Sequence, residues 1–552
     1  MAAVVPEHLP LQRIYQWEKS RAQNIYLTQP MGNGAVRDYT WAQAIGEVRR
    51  MAAYLKALGY PPGSNIGILS KNCAHWLMSD YAIWMAGHVS VPLYPTLNAE
   101  TVRQILEHSE AKALFVGKLD DWAKMSAGVP GNVHCISYPL SPPNKFPTWD
   151  DIVAKTEPLR DSPVRPAGEL ATIIYTSGTT GMPKGVMHSF GTLTWGTYAV
   201  QKRVGSASDD RTLSYLPLSH IAERLALEMG SLKSGFQIFF AESLETFARD
   251  LQRARPTLFF SVPRLWVKFQ QGVHAQMPKE KLERLLKVPL LGAYVRRKVL
   301  KGLGLDCCRR AFGGAAPMPP ELLRWYQSLG LGIIEVYGMT ENAGVSHSTL
   351  PGQSRPGYVG LPYDGVESRL GPDNEVQTRS ASTMLGYFKE PEKTREAITS
   401  DGWLRTGDKG ELDANGWLRI TGRMKDLFKT SKGKYVAPAP IEDKLVMHPR
   451  IEACCVAGAN QNQPCALVML NADAQKDGRE QLTQSLQQHL EKVNAMLDPH
   501  EQLEFLAVVK DAWTVEAGFI TPSLKVKRNV IEKTYSEMLD GWYAKRQPVV
   551  WQ

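Results

Sequence analysis

Between Ile66 and Val116 short apolar runs alternate with segments of helical period, and this constrains the fold more than any other feature of the chain. Ile66–Leu69, Val89–Leu93 and Ala113–Val116 read as strands. Between them, Trp76, Leu77, Tyr81, Trp84 and Met85 mark one face of a helix, and Thr101–His108 a second helix. Strands separated by helices at this spacing build βαβ units and a parallel sheet. The alternation resumes after Ala171, with strands expected at Thr172–Tyr175, Gln237–Phe240, Thr257–Ser261 and Gly332–Tyr337.

Near residue 400 the texture changes. Asp401-Gly402, Thr406-Gly407-Asp408, Asn415-Gly416 and Thr421-Gly422 read as turns that cut short alternating segments into a β-meander. Beyond them lie a further set of segments, strands at Glu452–Ala457 and Cys465–Leu470 and a helix near Gln481–Met496. The expectation is an α/β chain. A large N-terminal domain, residues 1–423, holds parallel sheets and a β-rich subdomain, and a small mobile α+β domain spans 424–552.

The densest chemistry follows the strand ending at Tyr175. Thr176, Ser177, Thr179 and Thr180 supply four hydroxyls, Gly178 and Gly181 let backbone N–H groups come close, and Lys184 adds a cation. Such a loop suits a polyphosphate. It is not a Walker A loop, because the glycine spacing differs and no Ser or Thr follows Lys184.

Ser177-Gly-Thr-Thr-Gly-Met-Pro-Lys-Gly185 resembles the AMP-binding signature of the adenylate-forming superfamily. Four further segments match that family's landmarks in order: Tyr337-Gly-Met-Thr-Glu341, Thr406-Gly-Asp408, Gly422-Arg-Met-Lys-Asp426 and Thr521-Pro-Ser-Leu-Lys525. Together they span most of the chain, and five in sequence are far more specific than any one.

The resemblance implies ATP, Mg²⁺ and CoA as the small molecules handled, and assigns roles. Glu341, with the Thr176 hydroxyl, is expected to hold Mg²⁺, since hard oxygen ligands suit that ion. Thr340 is placed on the α-phosphate, Asp408 on the ribose, Arg423 on the ribose or a phosphate, and Tyr337 on the face of adenine. Gly313, Gly314, Ala315 and Glu335 border the base, and Gly338 and Met339 complete the nucleotide set with the loop after Tyr175. Lys525 is the expected catalytic lysine, selected over Lys527 and Arg528 by its distance from Pro522, and Lys425 is the expected hinge.

Leu216-Pro-Leu-Ser-His-Ile-Ala-Glu-Arg224 and Pro256-Thr-Leu-Phe-Phe-Ser-Val-Pro-Arg-Leu-Trp266 are similar to bacterial long-chain fatty acid–CoA ligases. This implies a fatty acid substrate, with His220 beside the acyl and nucleotide sites and Trp266 and Gly314 on the acyl pocket. The alternative keeps adenylation but passes the acyl group to a carrier protein or closes a β-lactone. One departure from the family pattern, Gln377-Thr-Arg-Ser-Ala-Ser382, replaces the usual Arg-Gly-Pro run before Gly386-Tyr387.

Charge narrows the partners. The chain has 64 Lys+Arg against 55 Asp+Glu, a net of +9. Twelve Lys/Arg and three acids lie between Arg264 and Arg310, so this stretch alone equals the net charge. It also carries Leu282, Leu285, Leu286, Leu290, Leu291 and Val295, partly at helical spacing. Basic and apolar residues on one helical segment read as an interfacial surface for an anionic membrane. No aromatic interleaving of a nucleic-acid module accompanies it, so nucleic acid is not expected as a partner. A homodimer is compatible with the sequence. Seven cysteines without C-x-x-C or zinc spacing, and an N-terminus without a cationic, apolar leader, point to a cytoplasmic protein.

Overall fold

In a computed structural model, residues 4–176, 183–316, 318–521 and 525–552 are described. The expected βαβ alternation builds a seven-stranded sheet. Its order is Gly386–Tyr387, Lys184–Ser189, Leu170–Thr176, Val89–Leu93, Asn65–Leu69, Ala113–Val116, His134–Ser137. The last five strands run parallel, and Lys184–Ser189 pairs antiparallel with Leu170–Thr176. A second sheet, Leu258–Ser261, Arg310–Gly314, Ile333–Tyr337, His347–Ser348 and Leu361–Pro362, begins parallel and ends antiparallel. A third joins Ala35–Thr40 and Ile25–Gly32 to Gln237–Phe240 and Arg211–Ser214.

The helix Ala74–Met85 corrects one expectation. All twelve of its residues are buried, so the stripe from Trp76 to Met85 is only part of an apolar surface that packs on every side. A helix buried all round must satisfy its polar groups internally. Asp80 does so by pairing with Arg224, whose Nε also meets Glu228 at 3.0 Å and whose Nη1 donates to Thr172 at 2.6 Å. Burial, and then the charge of Asp80, push Glu228 well above the carboxylate range. Removing one partner of a buried pair costs about 3–5 kcal/mol. The network pins the one-turn π-helical segment Arg224–Met229 against the central sheet.

The β-meander forms, with two corrections. Glu367–Leu370, Glu375–Arg379, Leu404–Leu412 and Leu418–Arg423 make an antiparallel sheet in chain order. Asn415-Gly416 is a turn between strands, but Thr406-Gly407-Asp408 and Thr421-Gly422 lie inside them. Gly407 is in the left-handed region (φ 72°), a conformation that suits glycine within a strand already irregular at Lys409/Gly410. The segment with the unusual Gln377–Ser382 sequence continues its strand to Arg379. It then folds onto the Thr340–Asn342 turn, where the Ser382 hydroxyl donates to the Asn342 carbonyl at 3.1 Å.

A last sheet, Ile451–Ala457, Cys465–Leu470, Leu506–Val508 and Val549–Trp551, carries the helices Arg479–Asn494 and Arg528–Ala544. Glu452 on its first strand forms an ion pair with Arg264 of the helix Pro263–Gln276. All seven cysteines are free thiols.

Candidate active site

A cleft of about 1720 Å³ opens between the second sheet, the meander and the C-terminal sheet. Its volume exceeds the roughly 300–1,000 Å³ of a typical small-molecule pocket, room for more than one substrate.

The strand Ile333–Tyr337 delivers the polar end. Glu335, Tyr337, Gly338, Met339, Thr340 and Glu341 all line the cleft. After Tyr337 the chain turns sharply. A Cβ on Gly338 would lie 2.3 Å from the Gly344 carbonyl carbon, so this turn closes only with glycine. Met339 N–H donates to Asn342 Oδ1 at 2.9 Å, and the Thr340 carbonyl is 2.7 Å from His188 Nε2. The turn is therefore fixed before any ligand arrives.

The meander brings in Asp408 and Arg423 as neighbours across a ladder. Arg423 Nε reaches Asp408 Oδ1 at 3.1 Å, while the Tyr337 hydroxyl donates to Asp408 Oδ2 at 2.7 Å. Burial works against the Arg423 charge, but Asp408 and Asp426 outweigh it and hold the guanidinium charged. Charge-assisted bonds of this kind hold the Asp408 carboxylate in a fixed orientation.

Lys525 arrives from the C-terminal part of the chain. Burial and then the like charge of Arg423 depress its pKa, opposed by Asp408 and Glu341. The lysine thus lies within electrostatic reach of Arg423, Asp408 and Glu341. His220 lies in that field too. Burial, then Lys525, lower its pKa to about 4, so the ring is neutral at physiological pH. Its Nδ1 accepts the Ala222 N–H at 3.2 Å, capping the short turn Ile221–Glu223 while lining the cleft. Two candidate roles for this histidine, cap and site residue, coexist.

Glu335 is buried with Oε1 unpartnered, and desolvation pushes its pKa up to about 8. An unsatisfied buried carboxyl oxygen facing a cleft is an acceptor in wait for a donor. Ala315, which also lines the cleft, has φ 67°, a strained backbone of the sort that gathers at functional sites.

Other expected site residues are placed differently. Ser177, Gly178, Thr179, Thr180 and Gly181 lie outside the described residues. Thr176 and Pro183 line the cleft, and the next residue, Lys184, holds its ammonium 4.9 Å over the ring of Tyr387. Gly313 lines the cleft, whereas Gly314 packs into the sheet, where a Cβ would meet Val336 at 2.6 Å.

Trp266 is the clear correction. It is fully buried, donates Nε1–H to the Phe312 carbonyl at 3.2 Å and stacks edge-on against Phe259 and Tyr326. It forms part of the core beneath the cleft and is absent from its wall; its neighbour Arg264 lines the cleft instead. Trp266→Ala is therefore expected to cost about 3–5 kcal/mol of stability. Substrate preference should stay unchanged, as comparison of thermal melts with a substrate profile would check.

The apolar wall was not anticipated. Val200, Val204, Leu225, Leu227, Phe236 and Leu258 come from separate elements, and the π-helical segment braced by Arg224 supplies two of them. No single sequence motif announces such a surface.

These features coincide with a known family. The model of the AMP-binding enzyme family matches residues 16–388, and that of the AMP-binding enzyme C-terminal domain matches 425–547. The chain belongs to the AMP-binding enzyme family. It is 30% identical to a long-chain-fatty-acid–CoA ligase of Mycobacterium bovis, with 94% of each chain covered. A long-chain-fatty-acid–CoA ligase of Xenopus laevis is 29% identical, covering 88% of this chain and 77% of the relative. Among solved structures, the adenylation domain of a carboxylate reductase from Mycobacterium chelonae superposes with a TM-score of 0.81 at 22% identity. That match covers 97% of this chain and 91% of the other, and supports the fold.

Proposed function

We propose that this chain joins a fatty acid to CoA through an acyl-adenylate. In the first step a carboxylate oxygen attacks the α-phosphorus of ATP, the bond to the bridging oxygen breaks, and pyrophosphate leaves. In the second the CoA sulfur attacks the acyl carbonyl, AMP leaves with one carboxylate oxygen, and the thiol proton passes to solvent. The observation that carries the reading is one cleft with two characters. Its wall is apolar at Val200, Leu225, Leu227 and Phe236, and charged where Lys525, Glu341, Asp408 and Arg423 converge.

The residues take roles that suit this chemistry. Asp408 and Arg423 hold the ribose, and Glu335 accepts from the exocyclic amine of adenine. Glu341 and Thr176 offer oxygen donors of the kind Mg²⁺ takes when nucleotide phosphates complete its shell. The ion, when bound, offsets triphosphate charge. Lys525 supplies positive charge as the α-phosphorus gains negative charge, the type of preorganised stabilisation that contributes most in a dry site. His220, neutral, shapes the junction between acyl group and nucleotide. Burying each acyl methylene contributes about 0.8 kcal/mol, so an apolar wall favours long chains over short ones.

Lys525 at the cleft and the Arg264–Glu452 ion pair support reading the C-terminal part as arranged for the first step. Residues 424–552 are taken to turn about Lys425 for the second. Incubation with ATP, CoA and acids from C4 to C20, with products identified by mass, tests the reading. Acyl-CoA, AMP and pyrophosphate from long acids support it. Adenylate that accumulates until a carrier protein is added, or a β-lactone, would replace the second step.

We also infer peripheral contact with an anionic membrane. The helices Lys279–Leu286 and Leu291–Gly302 bury Leu282, Leu286 and Val295. The corner between them leaves Leu290 90% exposed and Tyr294 64% exposed. Exposed Lys279, Lys281, Lys287, Arg297 and Lys298 lie on these two helices and at their junction. Each basic residue near an anionic leaflet contributes about 1 kcal/mol. Replacing Lys287, Arg297 and Lys298 with Glu should abolish co-sedimentation with anionic vesicles at low salt. Turnover of a short, soluble acid should be spared. Arg296 is left in place because its guanidinium holds the Ser328 carbonyl at 2.9 Å. Unchanged vesicle binding by the triple variant would remove this surface from the reading.

A further inference from the structure

We propose that Tyr387 is the positioning residue of the triphosphate end, its ring seating the Lys184 ammonium while its hydroxyl orients the Glu341 carboxylate. The inference rests on the reading of Glu341 as a magnesium ligand. The strand Gly386–Tyr387 lies at the edge of the central sheet and pairs antiparallel with Lys184–Ser189. The pairing sets Tyr387 opposite Val186, two residues from the lysine. Its hydroxyl donates to Glu341 Oε1 at 2.7 Å, and Lys184 Nζ stands 4.9 Å from the ring centroid.

Tyr387 is buried (7% exposed) and does not line the cleft, so it acts through its two neighbours and not on substrate. The phenol O–H is the donor in its bond to Glu341 Oε1. One carboxylate oxygen of Glu341 is thereby occupied, and the other is left for an ion. The same segment grips the Glu341 main chain, where Met384 N–H donates to the Glu341 carbonyl at 2.8 Å. Both handles on Glu341 thus come from one stretch of chain. A lysine over an aromatic face is held by the negative face of the ring and loses freedom to wander.

Residues that orient a metal ligand from behind typically change metal affinity about 10- to 100-fold when removed. The test uses the full chain with Mn²⁺ as a paramagnetic stand-in, a non-cleavable α,β-methylene ATP analogue and no fatty acid, so nothing turns over. Tyr387→Phe keeps the ring under Lys184 and deletes the O–H. It should weaken Mn²⁺ binding in the analogue complex, read by EPR, by about 10-fold or more. Affinity for AMP, and for the analogue without metal, should be unchanged. Tyr387→Leu should in addition weaken metal-free binding of the analogue, because the seat of Lys184 is gone.

Wild-type Mn²⁺ affinity in Tyr387→Phe, alongside a loss in Glu341→Ala, would overturn the positioning role and leave the metal reading intact. An equal loss of AMP affinity in Tyr387→Phe would overturn it in favour of a structural role. Unchanged Mn²⁺ affinity in Glu341→Ala would overturn the metal reading and this inference with it.

Discussion

Lys525→Ala is expected to slow acyl-adenylate formation by about 100- to 1,000-fold, the range seen when one preorganised electrostatic donor is removed. Thioester formation from supplied acyl-AMP and CoA should change less than about threefold, because an interaction made only in one transition state is missed only there. The position of Lys525, in the fields of Arg423, Asp408 and Glu341, ties it to the phosphate end of the cleft. Pyrophosphate release for the first half-reaction, and loss of supplied acyl-AMP for the second, separate the effects. Equal losses in both would contradict the assignment.

Lys425→Pro is expected to give the opposite pattern. Lys425 lies in the turn at 424–426 directly after the strand Leu418–Arg423, with Met424 N–H bound to the Gly407 carbonyl at 2.9 Å and Asp426 N–H to the Arg423 carbonyl at 3.1 Å. Proline fixes φ near −65° and so removes the freedom a hinge needs. Adenylation should continue. The second step should fall on the order of 100-fold, the scale at which small misplacement of reacting groups costs rate. Release of free acyl-AMP by the variant would be the visible sign. Wild-type overall turnover would show that reorientation does not pass through this residue.

The residues of the polar end were legible because they sit in short contiguous motifs. Glu341 is four residues from Tyr337, and Asp408 two from Thr406, so local sequence names them. The βαβ strands were legible for a similar reason, since alternation of period is a local signal. Directions of side chains were not. Trp266 follows a strand and opens a helix, as a residue of the acyl pocket would, yet the helix turns it towards Phe259 and Tyr326. Gly407 and Gly422 imitate turns, but both sit inside paired strands, Gly422 beside the register shift at Lys409/Gly410. Tyr387 stood next to a glycine as a family landmark without a role. Its reach to Glu341 depends on strand pairing across about two hundred residues, which no window of sequence displays. The apolar wall is hidden in the same way, since its side chains share a surface only after folding.

The central claim is that an acyl-adenylate links a long-chain acid to CoA within this cleft. Palmitate labelled with ¹⁸O in both carboxylate positions, incubated with the protein, ATP, Mg²⁺ and CoA, tests it most directly. Mass spectrometry should find palmitoyl-CoA retaining one ¹⁸O, AMP carrying one ¹⁸O, and unlabelled pyrophosphate. Label in inorganic phosphate with ADP as the nucleotide product, or palmitoyl-CoA formed with unlabelled AMP, would contradict it.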